Sequence, residues 1–417
     1  MSVAARIPAT LESSSGLGRG LRIAVVTPEM IRTRGTERAN AEMVARLARE
    51  NRICLFAHHW EPDGTPGICF HRVPVMPWPG LLRFLTFFAS ATWQVRRAER
   101  RHGTYDAVYS PGPNCRQVQV SSAWFCQARQ LALFRSGKHR PQPATWLDWL
   151  KLAHRWSYAA VVSAVERHFY SLPTLRRVVT QSHLLAGDLA GFYGLPPERI
   201  VVAHGGVNSA HFEPAQRLVL RDRARRELGI PADEFAFFFI GNNWLIKGLY
   251  HVMEALARVP RGTLYVVGVE FEPPHSWQKH SRALGIASRV CYLPRRPDVI
   301  YYYAAADALV APSVYDTFPL MPLEAMACGL PVIISRNTGV AEIVRDDDCL
   351  VVSQLDDPAE LAEALRRISE DAGLRARLAA NGLELACQRP WDGIYRAISA
   401  ELVALARTRA AESAAAR

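Results

Sequence analysis

Residues 307–334 read DALVAPSVYDTFPLMPLEAMACGLPVII. An apolar run, Ala308 to Ala311, stops at Pro312-Ser313, a loop carries Asp316, and a helical segment opens near Pro322 with Glu324 in its first turn. Pro331 to Ser335 then begins another β-branched run. Strand, loop, helix and strand in one short stretch form the unit of a parallel sheet with helical crossovers. Seven residues separate the two acids. Glu324 taken alone is explained as a carboxylate compensating a helix dipole. With Asp316 at the mouth of the same sheet, and amides at Thr317, Phe318 and Leu320 between them, the pair suits hydroxyl groups with a phosphate beside them.

The same alternation extends along the chain on both sides. Strands are expected at Arg22 to Val26, Arg52 to His58, Cys69 to Val75, Asp106 to Ser110, Arg177 to Thr180 and Arg199 to Ala203, with a helix over Glu37 to Glu50. The pattern pauses over HGGVNSAHFEPAQ, residues 204–216, which suits a hinge. It restarts with helix Arg217 to Leu228, strand Phe235 to Ile240, helix Leu249 to Arg258 and strand Thr263 to Val269. It continues through helix Asp298 to Ala305 to helices Pro358 to Ser369, Leu374 to Ala386 and Trp391 to Arg407, and AAESAAAR reads as a frayed tail. The expected fold class is α/β: two tandem doubly wound, Rossmann-like domains facing across a cleft at the carboxyl ends of their strands. The expected boundaries are a disordered leader over 1–20, a first domain over 21–204, a second over 205–390 and a crossover helix with its tail over 391–417.

The chain has 417 residues, 49% hydrophobic and 21% charged, enough for two globular domains and unlike a fibre or a disordered chain. No stretch reaches the ~18 uninterrupted apolar residues of a spanning helix. The first twenty residues lack the apolar core of a secretion signal, so a cytoplasmic location is expected. Eight cysteines show no metal-binding spacing and read as reduced thiols. The net charge of +11 favours a polyanionic partner. The arginines are spread along the chain without a recognition module, which argues against nucleic acid. The stretch 76–101, MPWPGLLRFLTFFASATWQVRRAERR, combines Trp78, Leu82 and Phe84 with arginines after Trp93, and fits either a core-facing helix or a helix resting on an anionic membrane surface over residues 78–101. Asp346-Asp347-Asp348 has a metal-binding spacing but sits where a solvated turn is expected.

Only Lys138, Lys151, Lys247 and Lys279 are lysines among 50 basic residues. Lys247 lies in FFFIGNNWLIKGLYHVMEAL, residues 237–256: a strand, a loop with Gly241 and Asn242, and a helix after Lys247-Gly248. Helix-terminal amides, the helix dipole and a point charge there make a phosphate site. In PEMIRTRGTERAN, Gly35 and Thr36 stand between the first strand and its helix and allow close approach of the backbone to a ligand.

From Leu21 to about Arg407 the chain resembles the retaining glycosyltransferases of GT-B fold, family four. Residues 316–332 are similar to that family's pattern E-G-F-G-L-P-x-L-E-A-M-A-x-G-x-P-V. The resemblance implies a nucleotide-diphosphate sugar donor, bound mainly by the second domain, and a glycan or lipid-linked acceptor, bound mainly by the first, in cell-surface polysaccharide or glycolipid synthesis. Asp316 would contact the transferred sugar or its developing charge, Glu324 the ribose hydroxyls, and Lys247 the diphosphate. Gly35, Thr36, Gly241, Asn242, Arg295, Thr317, Phe318 and Leu320 would complete the donor site. No metal and no cofactor are expected, since the nucleotide sugar is itself a substrate. The chain departs from the pattern in carrying Asp rather than Glu at 316 and Pro319 in place of a glycine. Asn242 and Ile246 stand where relatives often carry arginine, and Trp124 where a histidine is often found. The alternatives are a nucleotide-sugar epimerase, a sugar phosphorylase or a non-catalytic sugar-nucleotide binding protein.

Overall fold

The computed structural model describes residues 20–31, 35–62, 64–136, 146–268 and 274–415, so the expected leader lies almost wholly outside the described residues. In chain order the elements are β1 (Arg22–Val26), β2 (Glu29–Met30), α1 (Gly35–Ala48), β3 (Arg52–Ala57), β4 (His59–Trp60), β5 (Ile68–Arg72), α2 (Gly80–His102), β6 (Ala107–Pro111), β7 (Val120–Ala123), α3 (Gln127–Arg135), α4 (Trp146–Tyr170), β8 (Arg177–Thr180), α5 (His183–Tyr193) and β9 (Ile200–Val202). They continue with α6 (Pro214–Leu228), β10 (Ala236–Ile240), α7 (Trp244–Lys247), α8 (Leu249–Leu256), β11 (Thr263–Val267), α9 (Pro274–Ala283), β12 (Val290–Leu293), α10 (Ile300–Ala305), β13 (Ala308–Ala311), α11 (Met321–Ala327), β14 (Val332–Ser335), β15 (Leu350–Val352), α12 (Pro358–Glu370), α13 (Ala372–Cys387) and α14 (Asp392–Ala415).

The chain divides into two compact units. One takes the residues up to Ala123, His168–Val179 and the chain from Tyr395 onward; the other takes Trp124–Arg167 and Thr180–Ile394. The first contains strands in the order β5-β3-β1-β6-β7-β8, parallel from β5 through β7. Within it, α14 is fastened by Glu401 to Arg177 at 3.2 Å and by a hydrogen bond of 3.0 Å from Arg409 to the carbonyl of Tyr105.

The second unit holds an all-parallel sheet in the order β12-β11-β10-β13-β14-β15. A sheet covered on both faces needs strands that are apolar at every position. In β10, Phe238 and Ile240 enter one core cluster while Phe237 and Phe239 enter the other. The same alternation splits Leu309 from Val310 in β13 and Ile334 from Ile333 in β14. Because all six strands point one way, the loops leaving β10, β13 and β14 emerge on the same edge of the sheet.

The α/β class and most strands are as expected, and the differences have local causes. Helix α1 begins at Gly35, so Gly35 and Thr36 form its first turn rather than a loop ahead of it. Residues 244–247, expected as loop, close one helical turn, α7. The last helix runs on to Ala415, because the alanine-rich segment expected to fray is composed of strong helix formers. Strand β7 was not expected: its Ser121 and Ser122 interrupt the apolar pattern. Both are buried and bonded, Ser121 to the carbonyl of Ser110 at 2.9 Å and Ser122 to the hydroxyl of Tyr109 at 2.7 Å.

One buried carboxyl makes stability depend on pH. Glu166 on α4 is 2% exposed, and its Oε2 accepts from the amide of Gln127 at 3.0 Å and from the hydroxyl of Tyr193. Burial pushes its pKa from 4.5 up to about 7, against the opposing pull of those two hydrogen bonds. The folded-state value lies above the unfolded one. The favourable contribution is therefore complete below about pH 4.5 and is lost as pH rises through about 7. Thermal denaturation between pH 5 and 8 should show stability falling over this range, and Glu166→Gln should remove on the order of 1–3 kcal/mol of that fall. Parallel pH profiles for both proteins would contradict this assignment.

Candidate functional site

Three loops at the carboxyl edge of the second sheet are locked to one another. After β10 the chain turns through Gly241 and Asn243, the latter with φ 57°, closes α7, and reverses at Gly248 with φ 87° before α8 begins. Gly248 lies against the loop leaving β13: a Cβ there would stand 2.1 Å from the carbonyl oxygen of Pro312. Beside it, the amide of Val314 donates to the carbonyl of Ile246 at 2.8 Å. These two contacts fix α7 against the acid loop. Lys247, the last residue of α7, runs its aliphatic stem past Gly241 and donates through Nζ to Oδ2 of Asp316. The two side chains are 22% and 16% exposed, so the pair is neither in the core nor open to bulk water.

The acid loop is held from its other side as well. Asp316 donates its amide to Asn337 at 3.1 Å and accepts from Gly339 at 3.0 Å, which docks the loop to the segment after β14. Gly339 has no room for a side chain, since a Cβ would lie 1.9 Å from the carbonyl oxygen of Thr317. The Thr317 hydroxyl donates to the carbonyl of Trp124 at 2.6 Å. On the preceding residue, the Tyr315 hydroxyl donates to Asp188, a carboxylate 2% exposed that also accepts from Nε of Arg129 at 2.8 Å. Burial, followed by the bond to Asp188, pushes the Tyr315 hydroxyl far above its ordinary pKa, so it remains a donor.

Glu324 lies in the first turn of α11, as expected. Its Oε2 accepts from the hydroxyl of Tyr303 at 2.9 Å, and burial, with the negative charge of Glu324 next, holds that phenol protonated. Sequence reading missed this partner, which lies 21 positions away on α10. Phe318 is buried in the core cluster that includes Leu323, and Leu320 caps α11, so both shape the loop from within. Asn242 is exposed in the first loop. Arg295 is exposed after β12, the edge strand, with β11 and β10 between it and β13. Gly35 and Thr36 belong to the first unit. The structure thus brings Lys247, Gly241, Asp316 and Thr317 together and sets Glu324 at the end of the same loop.

Chemically, a partly buried ammonium beside a carboxylate, next to the amides opening α8, can take an anionic group without losing its partner. Lysine has three donors, so Nζ can serve Asp316 and a phosphate oxygen together. Among the described residues, one group of three side chains could hold a metal ion: His183, His204 and Glu342. Asp346 to Asp348 instead form the turn before β15, where Asp348 accepts from the amide of Arg345 at 2.8 Å.

Comparison with known proteins gives a consistent picture. Residues 33–211 match the family described as Glycosyltransferase Family 4, and residues 221–385 match the family described as Glycosyl transferases group 1. A curated relative, the D-inositol 3-phosphate glycosyltransferase of Acidothermus cellulolyticus (strain ATCC 43068 / DSM 8971 / 11B), is 33% identical over 246 residues, 54% of each chain. The match therefore spans about half the length of that relative. Among solved structures, WaaG, a glycosyltransferase involved in lipopolysaccharide biosynthesis, is similar with a TM-score of 0.71 at 22% identity, covering 90% of this chain and 98% of that one. Anabaena HepE in complex with UDP-glucose is similar with a TM-score of 0.66 at 18% identity, covering 92% and 100%.

The backbone lock at Gly248 has a measurable cost of removal. Gly248→Ala places a side chain in left-handed backbone and against Pro312, and should destabilise the fold by at least about 1–2 kcal/mol in thermal or urea denaturation. An unchanged midpoint would show that the contact with Pro312 does not constrain the loop.

Proposed function

We propose that this chain, which belongs to family 4 of the glycosyltransferases and has their GT-B fold, moves a sugar from a nucleoside-diphosphate sugar to an acceptor hydroxyl with retention of anomeric configuration. The observation that carries this reading is the Lys247–Asp316 pair at the carboxyl ends of the adjacent strands β10 and β13. Breaking the bond between sugar and diphosphate leaves negative charge on the phosphate and positive charge on the sugar. A lysine and a carboxylate side by side answer both charges at once. Lys247, with the amides opening α8, stabilises the departing diphosphate, while Asp316 faces the sugar as its cationic character develops. Glu324, oriented by Tyr303, accepts from the ribose hydroxyls. Thr317 and Phe318 shape the pocket, and Gly241, Asn242 and Arg295 line the approach of the nucleotide. No metal is required in this scheme, because the cation and helix-terminal amides do the work a divalent ion does elsewhere.

Uridine is the first base to test, since a protein of the same fold is known in complex with UDP-glucose. For the acceptor, the relatives' names point to two chemistries, an inositol phosphate and a lipopolysaccharide. A glycan or lipid-linked acceptor in cell-surface polysaccharide or glycolipid synthesis remains our reading, with residues 21–204 as acceptor domain and 205–390 as donor domain. It is supported by Trp78, just ahead of α2, and Trp93 within it, which are 80% and 57% exposed, and by Arg100 and Arg101 in the last turn of α2. That composition suits peripheral contact with an anionic membrane from the cytoplasmic side. Among the described residues no helix is long and apolar enough to cross a membrane.

The test is a thermal-shift screen against UDP-, GDP- and ADP-sugars with EDTA present, followed by transfer assays with the donor selected. One nucleotide should raise the melting temperature, and Glu324→Ala should abolish that rise with the fold intact. Lys247→Ala should lower turnover by ~100-fold, about 3 kcal/mol of transition-state stabilisation. No stabilisation by any nucleotide sugar, or full turnover without Lys247, would overturn the reading.

A further inference from the structure

His183, His204 and Glu342 come from three separate segments of the second unit: the first residue of α5, the loop after β9, and the end of a single 3-10 turn, Gly339–Glu342. Their ligand-capable atoms all lie within 4.8 Å of one another. The carboxylate is already fixed in place. Oε2 of Glu342 accepts from the amide of His183 at 2.7 Å and Oε1 from the amide of Leu184 at 2.6 Å, so it caps the start of α5. Nε2 of His204 stands 3.1 Å from Oε2, and the two imidazole rings are 5.8 Å apart between centroids. The donor chemistry assigned above uses none of these three side chains.

We propose that His183, His204 and Glu342 form a binding site for a divalent transition metal of the zinc class. Two imidazoles and a carboxylate are the ligand set that zinc favours, whereas magnesium and calcium prefer oxygen ligands alone. A tetrahedral ion about 2.0–2.1 Å from each ligand keeps its ligand atoms roughly 3.4 Å apart. His204 and Glu342 already meet that spacing at 3.1 Å. His183 is exposed, and its ligand atom lies within 4.8 Å of those of the other two, a gap that a change of rotamer would close, with the fourth position left for solvent. The two amides of α5 supply the outer hydrogen bonds that orient a ligating carboxylate. The ion ties α5 to the turn that begins at Gly339, whose amide holds the backbone of Asp316. It therefore braces the acid loop without touching the reacting groups.

The experiment is calorimetric titration of chelator-stripped full-length protein with zinc sulfate and, separately, magnesium chloride. We expect one zinc per chain with micromolar or tighter affinity, a raised melting temperature, and no heat with magnesium. His183→Ala, His204→Ala and Glu342→Gln should each weaken zinc binding at least tenfold. Cys69→Ser is the control, because exposed Cys69 and His71 lie 3.6 Å apart and offer zinc a competing site. Loss of binding in Cys69→Ser, unchanged affinity in both histidine variants, or no saturable binding would each overturn the proposal. Should the variants fail to fold, cobalt substitution in the unaltered protein decides. Absorption from nitrogen and oxygen ligands supports the site, and a thiolate charge-transfer band contradicts it.

Discussion

The candidate donor site depends on a contact that admits no side chain. Gly248 reverses the chain in left-handed backbone directly over the carbonyl of Pro312, and the bond from Val314 to Ile246 holds the two loops in register. Only because these segments touch does a lysine that follows β10 reach an aspartate that follows β13. The pair is thus a product of sheet order, with β10 and β13 neighbours, and of one glycine. Any side chain at 248 would push α7 away from the acid loop and separate the charges.

The acid loop is then over-determined. Tyr315 is anchored to Asp188, Asp316 to Asn337 and Gly339, and Thr317 to Trp124, so three consecutive residues each have a separate anchor. Electrostatic stabilisation of a transition state works when charges and dipoles are fixed in advance and need not reorganise during the reaction. Here the fixing is done largely by backbone. Trp124 illustrates the point: its carbonyl, not its indole, holds Thr317, so the lack of a histidine at this position leaves the anchor intact.

Much of this was legible in the sequence, for a physical reason. A parallel sheet buried on both faces demands continuous apolar strands, and β10, β13 and β14 are written that way, each ending in glycine, proline or polar residues. The acids at 316 and 324 were legible because strand, loop and helix follow one another locally. The ion pair was not, since Lys247 and Asp316 are 69 positions apart and nothing local ties one to the other. Tyr303 and Asp188 lie 21 and 127 positions from the residues they bond, Glu324 and Tyr315, so no local pattern marks them. His183 and His204 have no ligand-like spacing, and their meeting with Glu342 depends on how α5 and the turn after β14 pack. Strand β7 was hidden because its buried serines are satisfied by hydrogen bonds to Ser110 and Tyr109 rather than through an apolar pattern.

The most direct measurement is a crystal structure of the protein with the nucleotide diphosphate selected by the stability screen. The expected result places the diphosphate within hydrogen-bond reach of Lys247 Nζ and the amides opening α8, with ribose hydroxyls on Glu324. Lys247 should still contact Asp316 in that complex. A nucleotide bound away from these residues, or a diphosphate held by other cations with the Lys247–Asp316 pair untouched, would contradict the assignment of this edge of the sheet as the donor site.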